Sequence, residues 1–176
     1  MSASGVAPAR VIVEADGGSR GNPGRAAYGS VLRDAATGEV IGEACQTIGV
    51  ETNNVAEYRG LIAGLQLAGA FAPDAAVEVR MDSRLVIEQM AGRWKIKHPA
   101  MRPLSVAARA LARRVDTWTW IPREQNKAAD TLVNAALDGL RHDPPPSLAR
   151  AQAARGSHSM SQTSTNDTAD PVGRLF

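Results

Sequence analysis

The chain has 176 residues, enough for one domain and a tail but tight for two. Its 44% hydrophobic content supports a buried core, its net charge is only +2, and its single cysteine, Cys45, excludes a disulfide framework or a multi-thiolate zinc site. No apolar run reaches the roughly 18 residues of a membrane span, and residues 1–10 lack the basic start and apolar stretch of a signal peptide, so the expectation is a cytoplasmic monomer without a membrane partner.

Val11 to Asp16 reads as a buried strand that ends at a polar turn. Gly17 to Gly24 follows as a glycine-rich loop of turn residues. Segments 27–34 and 39–48, joined by Ala36-Thr37-Gly38, suggest an antiparallel hairpin. Thr52-Asn53-Asn54 supplies capping residues, with Glu57 close behind, for an Ala/Leu-rich helix to about Phe71. Val77, Val79 and Met81 alternate with Glu78 and Arg80 in a fourth strand ending at Asp82-Ser83. A short helix through Met90, a basic connector over 92–103 and a helix over 104–114 come next. Thr117 to Ile121 forms a fifth strand, and 122–126 turns the chain into a last helix over 127–139. Beyond Leu140 the run Asp143-Pro144-Pro145-Pro146 breaks structure.

This order describes a mixed α/β fold in which a hairpin meander feeds crossover connections. If the first and fourth strands are parallel neighbours, Asp16 and Asp82 meet at the carboxyl edge of the sheet, where open α/β sheets place ligands. The small net charge conceals an asymmetry. Residues 1–79 hold five arginines and nine acids, net −4, whereas 80–114 hold nine basic residues and two acids, net +7. A basic middle segment points to a polyanionic partner.

Four acids stand near element ends: Asp16, Glu57, Asp82 and Asp130. Taken singly, each reads as a surface charge or a cap. Converging carboxylates repel one another and need a cation or a shared proton. Oxygen ligands without histidine or cysteine favour Mg2+ or Mn2+ over zinc. Two such ions roughly 3.5–4 Å apart suit the in-line displacement of a phosphodiester.

Four motifs carry a resemblance. Asp16-Gly17-Gly18-Ser19-Arg20-Gly21-Asn22-Pro23-Gly24 resembles the opening of type 1 ribonucleases H, as do Thr52-Asn53-Asn54-Val55-Ala56-Glu57-Tyr58, Met81-Asp82-Ser83 and Asn126-Lys127-Ala128-Ala129-Asp130. The resemblance covers 10–140, leaving 1–9 as a flexible N-terminus and 141–176 as a disordered tail or linker. It implies a ribonuclease H-like fold, a five-stranded mixed sheet flanked by helices. It also implies endonucleolytic hydrolysis of the RNA strand in RNA–DNA hybrids, giving 5′-phosphate and 3′-hydroxyl ends. Asp16, Glu57, Asp82 and Asp130 become the catalytic, metal-binding acids, with two Mg2+ ions expected and Mn2+ as a substitute. Gly17, Ser19, Asn22, Asn53, Asn54 and Arg84 become contacts to the hybrid, whose RNA strand is told apart by its 2′-hydroxyls. Asn53 also reads as a plain helix cap. Trp94, Lys95 and Lys97, an aromatic interleaved with bases, are candidates for the DNA strand, Trp94 reading equally well as a hydrophobic plug.

The sequence departs from the family pattern in two places. The stretch from Asp82 to Trp118 is too short for the basic protrusion of many bacterial members, so the chain resembles the compact archaeal and actinobacterial subgroup. That subgroup includes members acting on RNA–RNA duplexes, which adds double-stranded RNA as a candidate partner. The loop before Asp130 also lacks a histidine, leaving Arg123 or Glu124 to hold a phosphate or tune a metal there. In some actinobacterial relatives such a domain precedes a linker and a phosphatase domain. The alternative to an enzyme is a non-catalytic duplex-binding module of a larger fusion, which four acids at one site disfavour.

Overall fold

A computed structural model describes residues 5–146. Its elements are β1 (Arg10–Gly21), β2 (Gly24–Asp34), β3 (Val40–Glu51), α1 (Asn53–Phe71), β4 (Ala76–Met81), α2 (Arg84–Met90), α3 (Met101–Leu111), β5 (Val115–Trp120), a 3-10 turn (Arg123–Gln125) and α4 (Lys127–Leu137). The sheet order is β3-β2-β1-β4-β5. Pairing is antiparallel across β1–β2 and β2–β3 and parallel across β1–β4 and β4–β5. The expected five-stranded mixed sheet flanked by helices is therefore present.

The pleat of β1 divides the core. Val11, Val13 and Ala15 are buried against α1, in a cluster that includes Tyr58, Leu61, Leu65, Val79, Ile87 and Met101. On the opposite face, Ala27, Val31 and Cys45 pack against Leu132, Val133, Ala136 and Leu137 of α4. The face that α4 leaves uncovered is polar: Arg33 pairs with Glu14, and Glu78 bonds both Arg80 and Thr119. Among the described residues no helix is long and apolar enough to cross a membrane.

Three expectations are corrected. The segment read as a loop from Gly17 continues β1 to Gly21, paired with Tyr28 to Gly24 of β2. Its small residues satisfy the backbone ladder without side-chain patterning, which is what a hydrophobicity reading needs. The helix expected at 104–114 runs from Met101 to Leu111. Pro103 sits in its first turn, where a missing N–H loses no intrahelical bond, so the proline opens the helix rather than preceding it. Finally, residues 141–146 do not leave the domain. Asp143 exchanges backbone hydrogen bonds of 2.8 and 2.9 Å with Cys45 on the edge strand β3, and Arg141 pairs with Glu43 at 2.6 Å. This covers part of an edge that would otherwise present unpaired backbone groups. The rest of the expected tail, 147–176, lies outside the described residues.

Candidate active site

Parallel pairing between β1 and β4 stops at Glu14–Arg80. Beyond it β1 continues with β2 alone while β4 ends at Met81, so the sheet opens between them. Asp16 and Asp82 flank that opening. Helix α1 lies directly on the β1 backbone there. A Cβ at Gly17 would sit 2.1 Å from the Ala56 carbonyl carbon, and one at Gly60 would sit 2.4 Å from the Asp16 carbonyl oxygen. Only glycine permits so close an approach, and it sets Glu57 beside Asp16. Asp130 comes from the first turn of α4. All four acids line one cleft of about 290 Å³, together with Gly17, Ser19, Asn53 and Arg123.

Each acid has a different partner. Asp16, only 7% exposed, accepts from the Gly17 N–H at 2.8 Å. Burial, reinforced by Asp82, pushes its carboxyl up to about 7. Burial likewise raises Glu57 to about 7, against the Ser83 hydroxyl, which donates to it, and with added repulsion from Asp16 and Asp82. Asp82 accepts from Asn126 Nδ2 at 2.7 Å, and the same amide donates to the Ala15 carbonyl at 2.9 Å. Asn126 stands at the N-cap of α4 without capping it; its side chain ties β1 and the end of β4 to that helix instead. Asp130 accepts from Arg123 at 3.0 Å and from Asn134 at 3.3 Å.

The donor chemistry fits a hard divalent cation: four carboxylates, two of them held above their ordinary range by burial and, to a lesser degree, by repulsion from their acidic neighbours, both of which a cation would offset. In the arrangement present, no three His, Cys, Asp or Glu side chains among the described residues converge closely enough to enclose an ion.

The structure divides the expected substrate contacts between two places. Ser19 and Asn53 line the acidic cleft, tied together: Asn53 Oδ1 accepts from the Ser19 N–H at 2.8 Å and its hydroxyl at 2.9 Å. The cap of α1 is therefore Thr52, which accepts from Val55 N–H, and Asn53 is a brace to β1. Asn22, Asn54, Trp94, Lys95 and Lys97 line a neighbouring groove of about 470 Å³. Trp94 is 48% exposed, which settles it as a surface residue rather than a buried plug; Ile96 is the connector residue that packs on the core. Arg84 lines neither cavity and stacks on Trp120, 5.8 Å from the ring centroid. Glu124 is exposed and lines neither. Ser83, Asn126 and Trp120, whose indole donates to the Asp82 carbonyl at 3.1 Å, were missed as site residues. Ser83 and Asn126 lie inside the recognised motifs, but nothing in their identity announces a carboxylate partner.

The strand order, the flanking helices and the four carboxylates in the cleft at the β1–β4 opening define a ribonuclease H-like domain. A family model described as reverse transcriptase-like matches residues 14–136. The bifunctional protein Rv2228c of Mycobacterium tuberculosis is 54% identical over 132 residues, 73% of this chain and 36% of that protein. The solved N-terminal RNase H domain of that protein is 50% identical with a TM-score of 0.70, covering 83% of this chain and 99% of that one. Ribonuclease HI of Halobacterium salinarum is 47% identical over 131 residues, 73% of this chain and 65% of that protein. LC11-RNase H1, isolated from compost and solved in complex with an RNA/DNA hybrid, is 40% identical with a TM-score of 0.69, covering 73% and 97%. The chain belongs to the ribonuclease H family, and it spans about a third of the length of the mycobacterial relatives it matches.

Proposed function

We propose that this domain is an endoribonuclease that uses divalent metal ions, Mg2+ by preference, to hydrolyse the RNA strand of RNA–DNA hybrids, giving 5′-phosphate and 3′-hydroxyl ends. The observation that carries this reading is the convergence of carboxylates from β1, α1, the end of β4 and α4 on one cleft, next to a groove bearing Trp94, Lys95 and Lys97. Gathering four like charges in one cleft costs stability through their mutual repulsion, and a pure duplex-binding module gains nothing from it.

Asp16, Glu57, Asp82 and Asp130 would hold the metal. Bound ions supply the Lewis acidity that activates a water and neutralises the leaving oxygen. The chain's own groups do the positioning. Asn126 keeps Asp82 aimed into the opening, and Ser83 holds the Glu57 carboxylate over the sheet edge. Gly17, Ser19, Asn22, Asn53 and Asn54 edge the path along which an RNA backbone and its 2′-hydroxyls would lie. Trp94 offers a stacking face, and Lys95 and Lys97 neutralise phosphates of the DNA strand. Arg84, stacked on Trp120 one residue beyond Ser83, is a further sugar or base contact. Arg123, bonded to Asp130 at the cleft, is the better placed of the two auxiliary candidates, taking a phosphate where other members carry a histidine.

Labelled RNA–DNA, RNA–RNA and DNA–DNA duplexes, incubated with Mg2+, Mn2+ or chelator, test the proposal. Metal-dependent scission of RNA in the hybrid is expected, abolished in Asp82→Asn while hybrid binding persists. Binding without cleavage by the intact protein would establish the duplex-binding module instead, and cleavage of the RNA–RNA duplex would widen the substrate range.

A further inference from the structure

Outside the acidic cleft, a buried polar network joins the catalytic helix to the basic connector. Tyr58, next to Glu57 on α1, is fully buried and donates from its hydroxyl to Gln89 Oε1 at 2.8 Å. Gln89, 5% exposed at the end of α2, donates from Nε2 to the Lys95 carbonyl at 3.5 Å, the longest bond of the set. Arg109 of α3 donates to the Gln89 carbonyl at 3.1 Å. The chain reverses at Gly92, whose φ of 79° lies in the left-handed region and whose N–H bonds the Gln89 carbonyl. Trp94 N–H then bonds the Glu88 carbonyl at 3.1 Å.

We propose that Gln89, held by Tyr58, is a positioning residue that sets the connector Trp94–Lys97 in register with the active site. The inference rests on the hybrid-cleaving reading and deepens it. The connector has no helix or strand of its own between Met90 and Met101. Ile96 anchors it from below, while Trp94, Lys95 and Lys97 stay exposed along the groove. A segment without a backbone ladder keeps one geometry only through such anchors. A buried tyrosine–amide pair is otherwise an unrewarding choice for a core, because each partner left alone is strongly penalised. Its location explains it: one end is covalently adjacent to Glu57, and the other bonds the backbone of Lys95. The network thus fixes the distance between the acids and the stacking and cationic groups.

The test exploits the asymmetry of buried hydrogen bonds. Gln89→Leu strands the Tyr58 hydroxyl and should lower Tm; Tyr58→Phe/Gln89→Leu removes both partners and should recover most of that loss. Both variants lack the anchor on Lys95. Hybrid Kd, measured without divalent ion, and KM should therefore rise roughly three- to tenfold in both, with kcat within about twofold of the parent. Amide hydrogen exchange at 94–97 should accelerate equally in both. The inference is overturned if affinity follows Tm, returning to the parental value in the double variant, or if exchange at 94–97 is unchanged in both variants. A parent protein that neither binds nor cleaves hybrid defeats the functional reading instead, and the exchange measurement still decides the anchoring.

Discussion

Asp16 and Glu57 lose their water on folding before any counter-charge reaches them, and that makes them unlike surface carboxylates. Their proton affinities rise from ordinary values of 3.8 and 4.5 to about 7. A carboxyl that holds its proton more tightly when folded stabilises the fold less as pH climbs. The loss begins near the unfolded values and is complete above about pH 7. Metal-free protein should therefore lose on the order of a few kcal/mol, read as a falling Tm, between about pH 4 and 7. Added Mg2+ should restore it at the upper end. Asp16→Asn should abolish cleavage yet stabilise the metal-free protein at pH 8 by about 1–3 kcal/mol, since it removes a buried charge. A flat Tm profile, or a destabilised Asp16→Asn, would contradict the electrostatic account. Arg123 is 76% exposed, so its ion pair with Asp130 contributes little to stability. Arg123→Ala should leave Tm within about 1 °C and lower kcat by roughly tenfold or more; full turnover in both Arg123→Ala and Glu124→Ala would remove the auxiliary role from that loop.

At the level of elements, the site depends on how closely α1 approaches β1. Gly17 and Gly60 allow backbone-on-backbone contact, and a methyl at position 60 has no flexible neighbour to displace. Gly60→Ala is expected to destabilise by about 3 kcal/mol or more in urea titration and to depress cleavage, because α1 must retreat with Glu57. Gly69, on the exposed part of the same helix, has open space around it. There the same substitution should stabilise by about 0.5–1 kcal/mol. If the two changes have equal effects, close packing is not what places Glu57. The elements expected from sequence match the structure at the β2–β3 hairpin, at α1, at β4 and at α4, where periodicity or capping chemistry is strong, although the cap of α1 is Thr52 and not Asn53. They differ from it at residues 17–21, whose strand is made by pairing rather than patterning, and at the start of α3, where a proline can open a helix as well as forestall one.

Across the whole molecule, acids drawn from four elements and lysines of the basic segment come to line two adjoining cavities. The cleft concentrates carboxylates, and the groove beside it carries Lys95 and Lys97. Hybrid binding should weaken with salt in a linear log–log relation, and Lys95→Ala/Lys97→Ala should reduce that slope by about 1–2 without favouring any sequence. An unchanged slope would move the DNA strand elsewhere. By itself, the sequence determined the family, the order of the elements and which four acids stand near element ends, because motif residues, turn glycines and apolar periodicity are local properties of the chain. It could not assign the partners of the acids. Asn126 reaches Asp82 across 44 positions, Ser83 reaches Glu57 across 26, and Gln89 reaches Tyr58 across 31. Those pairings exist only once the sheet order and the contact of α1 with β1 are established, since hydrogen bonds between distant residues follow from packing and leave no local pattern.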